Sequence, residues 1–123
     1  MSRTTKKDEE REHRISYEII VDAYGPIEQA LGWYYYLEEK LHFPFLARCI
    51  AERIISPLHN GDEVDVVGMA PEEDCEHEMF VRIRWEQYSF AVPLSQLEGI
   101  ATDEDTQEAI TDWHYWVNQG YQL

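Results

Sequence analysis

The stretch Met79–Val92, "MFVRIRWEQYSFAV", decides the fold class. Met79, Val81, Ile83 and Trp85 fall on one face while Arg82 and Arg84 take the other, the period-two alternation of a half-buried antiparallel strand. Glu86 and Gln87 make a tight turn, after which Tyr88, Phe90 and Val92 repeat the pattern, so the segment reads as a β-hairpin. Outward from it, short runs rich in β-branched and aromatic residues alternate with Gly, Pro and Asn turns. They predict strands over Phe45 to Arg53, Glu63 to Met69, Glu78 to Trp85, Tyr88 to Val92 and Gln96 to Ile100. Short strands, with the Pro-containing break "AVPLSQLE" before the last, predict a five-stranded SH3-like antiparallel barrel.

Helical spacing replaces this alternation at both ends of the chain. From about Asp8 to Tyr24, Ile15, Ile19, Ile20 and Ala23 recur among charged residues until Gly25 and Pro26 stop the pattern. Pro26 suits the first turn of a second helix, whose Ile27, Ala30, Leu31, Tyr34, Leu37 and Leu41 form an apolar stripe. The short hinge predicts an N-terminal helical hairpin. A C-terminal helix, capped by Thr102 or Asp103, carries Ala109, Trp113, Trp116 and Val117 on one face and ends at Gly120. The fold class is therefore α+β, a single domain over residues 1–123, with residues 1–12 a loose N-terminal extension or helix start. Trp33, Tyr34, Tyr35 and Tyr36 cannot all face one core from a helix, so most pack inside and the rest cover another surface.

With 25 Asp and Glu against 10 Lys and Arg, the formal net charge is −15. That field repels phosphate backbones and disfavours a nucleic-acid partner, whereas cations or a basic protein partner suit it. Hydrophobic residues at 44% exclude a disordered body. No apolar run reaches the roughly 20 residues of a membrane span, and the N-terminus has no signal-peptide core, which points to the cytoplasm. Cys49 and Cys75 are read as reduced thiols.

The densest charge lies in "GMAPEEDCEHEMF", Gly68–Phe80, between two of the strands. Glu72, Glu73, Asp74 and Glu76 crowd one turn, and their repulsion would be relieved by a hard divalent cation, which takes carboxylate, carbonyl and water oxygens. A solvated acidic surface is the other reading of the same turn. An EF-hand is excluded: counted from Asp103, Glu108 stands where the turn glycine is required and His114 where the bidentate glutamate is. Any calcium site must draw on separate segments, such as this loop, the Glu38–Glu39 helix end and the "DEDTQE" turn. Cys75 and His77 supply half of a zinc motif, with Cys49, His42 and His59 elsewhere, and the missing half argues against zinc. Ser89 and Ser95 have no glycine elbow and no histidine placed to serve them, so no catalytic constellation emerges.

The stretches "EIIVDAYGPIEQALGWYYYLEEKL", "CIAERIISPL", "GDEVDVVGMAPEEDCEHEMFVRIRW", "AVPLSQL" and "DWHYWVNQGYQL" resemble the small cyanobacterial calcium-binding family known as CcbP, from about Ile19 to the C-terminus. The resemblance implies Ca²⁺ binding outside any EF-hand, in a cytosolic buffer or sensor linked to heterocyst differentiation. It also implies ligand candidacy for Glu38, Glu39, Glu72, Glu73, Asp74 and Glu76, which lie inside the matching stretches. The competing expectations are an acidic SH3-like interaction module whose metal binding is incidental, and a metal-dependent enzyme.

Overall fold

The structure, a computed structural model, describes residues 8–123. Helix α1 (Glu9–Arg14) is capped by Asp8, whose carboxylate accepts from the Arg11 amide at 3.0 Å. The expected loose segment therefore contributes to a helix from Glu9 onward, and residues 1–7 lie outside the described residues. Beyond Arg14 the coil widens into a π turn over Ile15–Ile19, with the Ile20 amide reaching the Ile15 carbonyl at 2.9 Å. The turn buries both Ile15 and Ile19. The helical run stops there, short of Tyr24, because Asp22 takes a left-handed conformation at φ 58°, which Asp reaches more readily than most side chains.

Helix α2 (Pro26–Lys40) opens with proline in its first turn, where a missing N–H costs nothing. It lies so close to the π turn that a Cβ on Gly32 would collide with the Ile19 carbonyl oxygen. Only glycine permits this approach, which forms the expected hairpin. Ala30, Tyr34, Leu37 and Leu41 of the predicted stripe are buried, but Ile27 is 65% exposed and Leu31 only half-buried. Trp33 goes inside instead. It meets Trp113 and Trp116 of helix α3 (Glu104–Asn118) at ring-centroid distances of 5.0 and 5.6 Å, and such aromatic contacts outweigh the burial of one isoleucine at a helix start.

The strands β1 (Phe45–Cys49), β2 (Glu63–Met69), β3 (Phe80–Trp85), β4 (Tyr88–Pro93) and β5 (Leu97–Gly99) form one sheet in the order β4-β3-β2-β1-β5. Every neighbouring pair is antiparallel. The edge strands β4 and β5 are joined only by the turn Leu94–Gln96. A flat five-stranded sheet would hold its edges about 19 Å apart, at roughly 4.8 Å per interval, whereas a residue spans at most about 3.5 Å. The sheet must therefore curl like an SH3 barrel. It stays open, because β4 and β5 share no ladder. Strand β1 stops at Cys49 rather than Arg53, and the chain swings out to expose Ile54 and Ile55. On edge strand β4 only Val92 of the predicted apolar face is buried, leaving Tyr88 and Phe90 exposed.

Candidate functional site: an acidic turn held against helix α2

Between β2 and β3 the chain makes a short 3-10 turn, Glu72–Cys75. Cys75 is 2% exposed, and its sulfur accepts from the Phe80 amide at 3.4 Å. Burial pushes the thiol's pKa up, with the Asp74 charge adding to the effect, so Cys75 is an inert anchor rather than a metal-ready thiolate. With this one residue turned inward, Glu72, Glu73 and Asp74 face solvent, followed by exposed Glu76. Two tyrosines of α2 hold the turn in place. Tyr34 donates its hydroxyl to the Ala70 carbonyl at 2.7 Å, and Tyr35 donates to Glu72 Oε2 at 2.9 Å.

Among the described residues no lysine, arginine or histidine pairs with Glu38, Glu39, Glu72, Glu73, Asp74 or Glu76. Many other carboxylates do find cations: Glu78, at the end of the loop, takes both guanidinium nitrogens of Arg53 at 2.8 and 3.1 Å. The uncompensated charge registers on the tyrosines. Burial, reinforced by Glu38, Glu72 and Glu73, pushes Tyr34 up to about 12. The bond to Glu72, with the charges of Glu72 and Glu38, raises Tyr35. Thus Glu38 and the acidic turn share one electrostatic environment although 34 positions separate Glu38 from Glu72.

The expected ligands do not all converge. Glu72, Glu73 and Glu76 rim a cleft whose inner wall is Ala30, Tyr34 and Cys75; Asp74 and Glu39 are exposed outside it. The "DEDTQE" turn is committed elsewhere: Asp103 caps α3 through the Thr106 amide at 2.7 Å, and Asp105 faces Lys40 at 3.7 Å. Among the described residues no three His, Cys, Asp or Glu side chains form a ready-made metal cluster, so the half-motif at Cys75 and His77 gains no zinc partners. The carboxylates nevertheless fit a large, hard cation. They are numerous, without basic partners among the described residues, exposed on a surface turn, and chemically suited to Ca²⁺. The bond from Tyr35 to Glu72 was not foreseen in the sequence. Its signal was the position of Tyr35 one helical turn before Glu38 in "WYYYLEEK", an i,i+3 spacing that puts both on one face.

Fold and turn together define a small acidic α+β protein with a cation-attracting carboxylate loop and no EF-hand. The chain belongs to the CcbP family, described as calcium binding, whose sequence profile matches residues 13–117. Its backbone is similar to the crystal structure of Anabaena CcbP, with a TM-score of 0.87 and 42% identity over 97% of this chain and 98% of the other. It is also similar to a calcium-binding protein solved in the calcium-binding form, with a TM-score of 0.85 and 42% identity over 95% and 96%. No curated protein sequence gave a significant match. Among the described residues no helix is long and apolar enough to cross a membrane.

Proposed function

We propose that this chain binds Ca²⁺ reversibly, with ligands drawn from Glu72, Glu73, Asp74 and Glu76 of the acidic turn and from Glu38 and Glu39 of α2, as a cytoplasmic buffer or sensor without enzymatic activity. The observation that carries this reading is the turn itself: four exposed carboxylates at positions 72, 73, 74 and 76 flanking a buried Cys75, with no basic partner among the described residues. Membership of a calcium-binding family supports it. The ion supplies positive charge that removes the repulsion among these groups. Tyr35 fixes one oxygen of Glu72, Oε2, and is not bonded to Oε1. The tie to heterocyst differentiation belongs to the same reading and rests on the family resemblance alone.

Calorimetric titration tests the proposal, with Mg²⁺ as competitor. A loosely assembled carboxylate site suits an ion tolerant in number and angle of ligands, so Ca²⁺ should bind and should outcompete Mg²⁺, which demands a tight octahedron. Absence of Ca²⁺ heat, or tighter Mg²⁺ binding, would refute it.

A further inference from the structure

The predicted apolar stripe of α2 is left uncovered at its start. Ile27 is 65% exposed and Leu31 half-buried, and both open into the cleft whose far rim is Glu72, Glu73 and Glu76. Tyr24, 87% exposed, lies just before α2, where its amide donates to Glu28 Oε1 at 2.8 Å. Scattered surface isoleucines need no explanation. An apolar slot facing three carboxylates that lack cations does, because each half is the complement of one kind of partner. The cleft encloses about 230 Å³, below the range of roughly 300–1,000 Å³ typical of small-molecule pockets. That is room for one or two apolar side chains of a peptide.

We propose that this cleft docks a basic amphipathic segment of a partner protein, seating an apolar side chain against Ile27 and Leu31 while flanking Lys or Arg residues pair with Glu72, Glu73 and Glu76. Because these carboxylates are also the calcium ligands of the function proposed above, on which this coupling rests, Ca²⁺ and the segment compete and a calcium rise releases the partner. The acidic rim steers the encounter and supplies specificity, whereas the apolar contact slows dissociation.

The probe is a short, fluorescently labelled amidated peptide with Leu at every fourth position among Lys and Arg, beside an equally charged control in which Ser replaces Leu. Anisotropy is read at physiological ionic strength, where exposed charges are screened beyond about 8 Å. The Leu peptide should bind at least about tenfold more tightly than the Ser control, since burying a single Leu contributes enough for that factor. Ile27→Ser with Leu31→Ser should remove this advantage while leaving Ca²⁺ affinity, measured separately, unchanged. If Leu31→Ser impairs folding by circular dichroism, Ile27→Ser alone makes the same test at an exposed position without changing the charge of the cleft. Glu72→Gln, Glu73→Gln and Glu76→Gln together should weaken peptide binding more than Glu9→Gln, Glu10→Gln and Glu18→Gln do. Saturating Ca²⁺ should release the peptide. Equal binding of the two peptides, indifference to Ile27, or a peptide that stays bound in saturating Ca²⁺ would overturn the proposal. No peptide binding by the parent chain with intact Ca²⁺ heat defeats the docking alone; peptide binding by the parent chain with no Ca²⁺ heat defeats the calcium reading.

Discussion

Asp112 of α3 is completely buried, and its two carboxylate oxygens face the guanidinium of Arg14, the last residue of α1, at 2.7 and 3.1 Å. Tyr36 of α2 donates to the same carboxylate at 2.7 Å, and Arg11 Nε of α1 lies 3.1 Å from it. One charge thus ties all three helices together, and its bond raises the already high pKa of Arg14 still further. Removing one partner of a buried pair leaves the other uncompensated, at roughly 3–5 kcal/mol. Asp112→Ala should lower stability by about that amount in urea denaturation. A loss below about 1 kcal/mol would show that the helices are held by the tryptophan cluster alone.

Calcium should raise the melting temperature. An ion that binds only the folded chain adds about 2.7 kcal/mol at a hundredfold excess over its dissociation constant. Scanning calorimetry at fixed ionic strength, with and without millimolar Ca²⁺, checks this; coincident transitions would contradict it.

Coordination can be separated from general acidity. Glu72→Gln, Glu73→Gln and Asp74→Asn together should weaken Ca²⁺ binding by more than about tenfold, whereas Glu9→Gln, Glu10→Gln and Glu18→Gln change the net charge equally with little effect. The distant charges act only through a field that salt screens beyond about 10 Å at 0.1 M. Asp8 is left out of the second set because it caps α1. Equal losses from the two triple variants would reduce the turn to part of a diffuse acidic surface.

Tyr35→Phe isolates the hydroxyl that holds Glu72. Hydrogen bonds to ligating groups are worth about 10–100-fold in metal affinity, so Ca²⁺ affinity should fall by around tenfold while the melting temperature in EDTA barely moves, the ring being half exposed. An unchanged affinity would mean that Glu72 needs no such support.

His114 gives a pH dependence of known sign. Burial holds its pKa below the usual histidine value, and its Nε2 approaches the Leu94 carbonyl at 3.4 Å. Above about pH 6.5 neither folded nor unfolded histidine carries a proton, so the group contributes nothing there. As pH falls below that value the unfolded state takes up a proton that the folded state resists, and stability declines until the depressed folded pKa is passed. Melting temperatures between pH 7 and pH 5 should therefore fall less steeply for His114→Gln than for the parent chain. Parallel curves would place the acid sensitivity elsewhere.

The hairpin at Met79–Val92 was legible because strand period and turn are local, and β3 pairs with β4 across it as the alternation requires. The C-terminal helix was legible for the same reason, its cap Asp103 and apolar face both lying in one segment. Ile27 was misread by the same method. Periodicity identifies the side chains that share a face, but whether anything covers that face depends on the neighbour, and the first turn of α2 has an open cleft beside it.

By itself, the sequence determined the α+β class, the strand order along the chain, the acidic turn and, through long distinctive stretches, the calcium-binding family. Those are properties of local pattern and composition. Only the tertiary structure decided that the curled sheet remains open between β4 and β5, that Cys75 points inward so that its acidic neighbours point out, and that Glu38 shares a field with Glu72 through Tyr34 and Tyr35. Each of these depends on groups far apart in the chain and close in space. Burial and Coulomb interaction act over distances of ångströms, whereas sequence spacing fixes such distances only within a single helix, strand or turn.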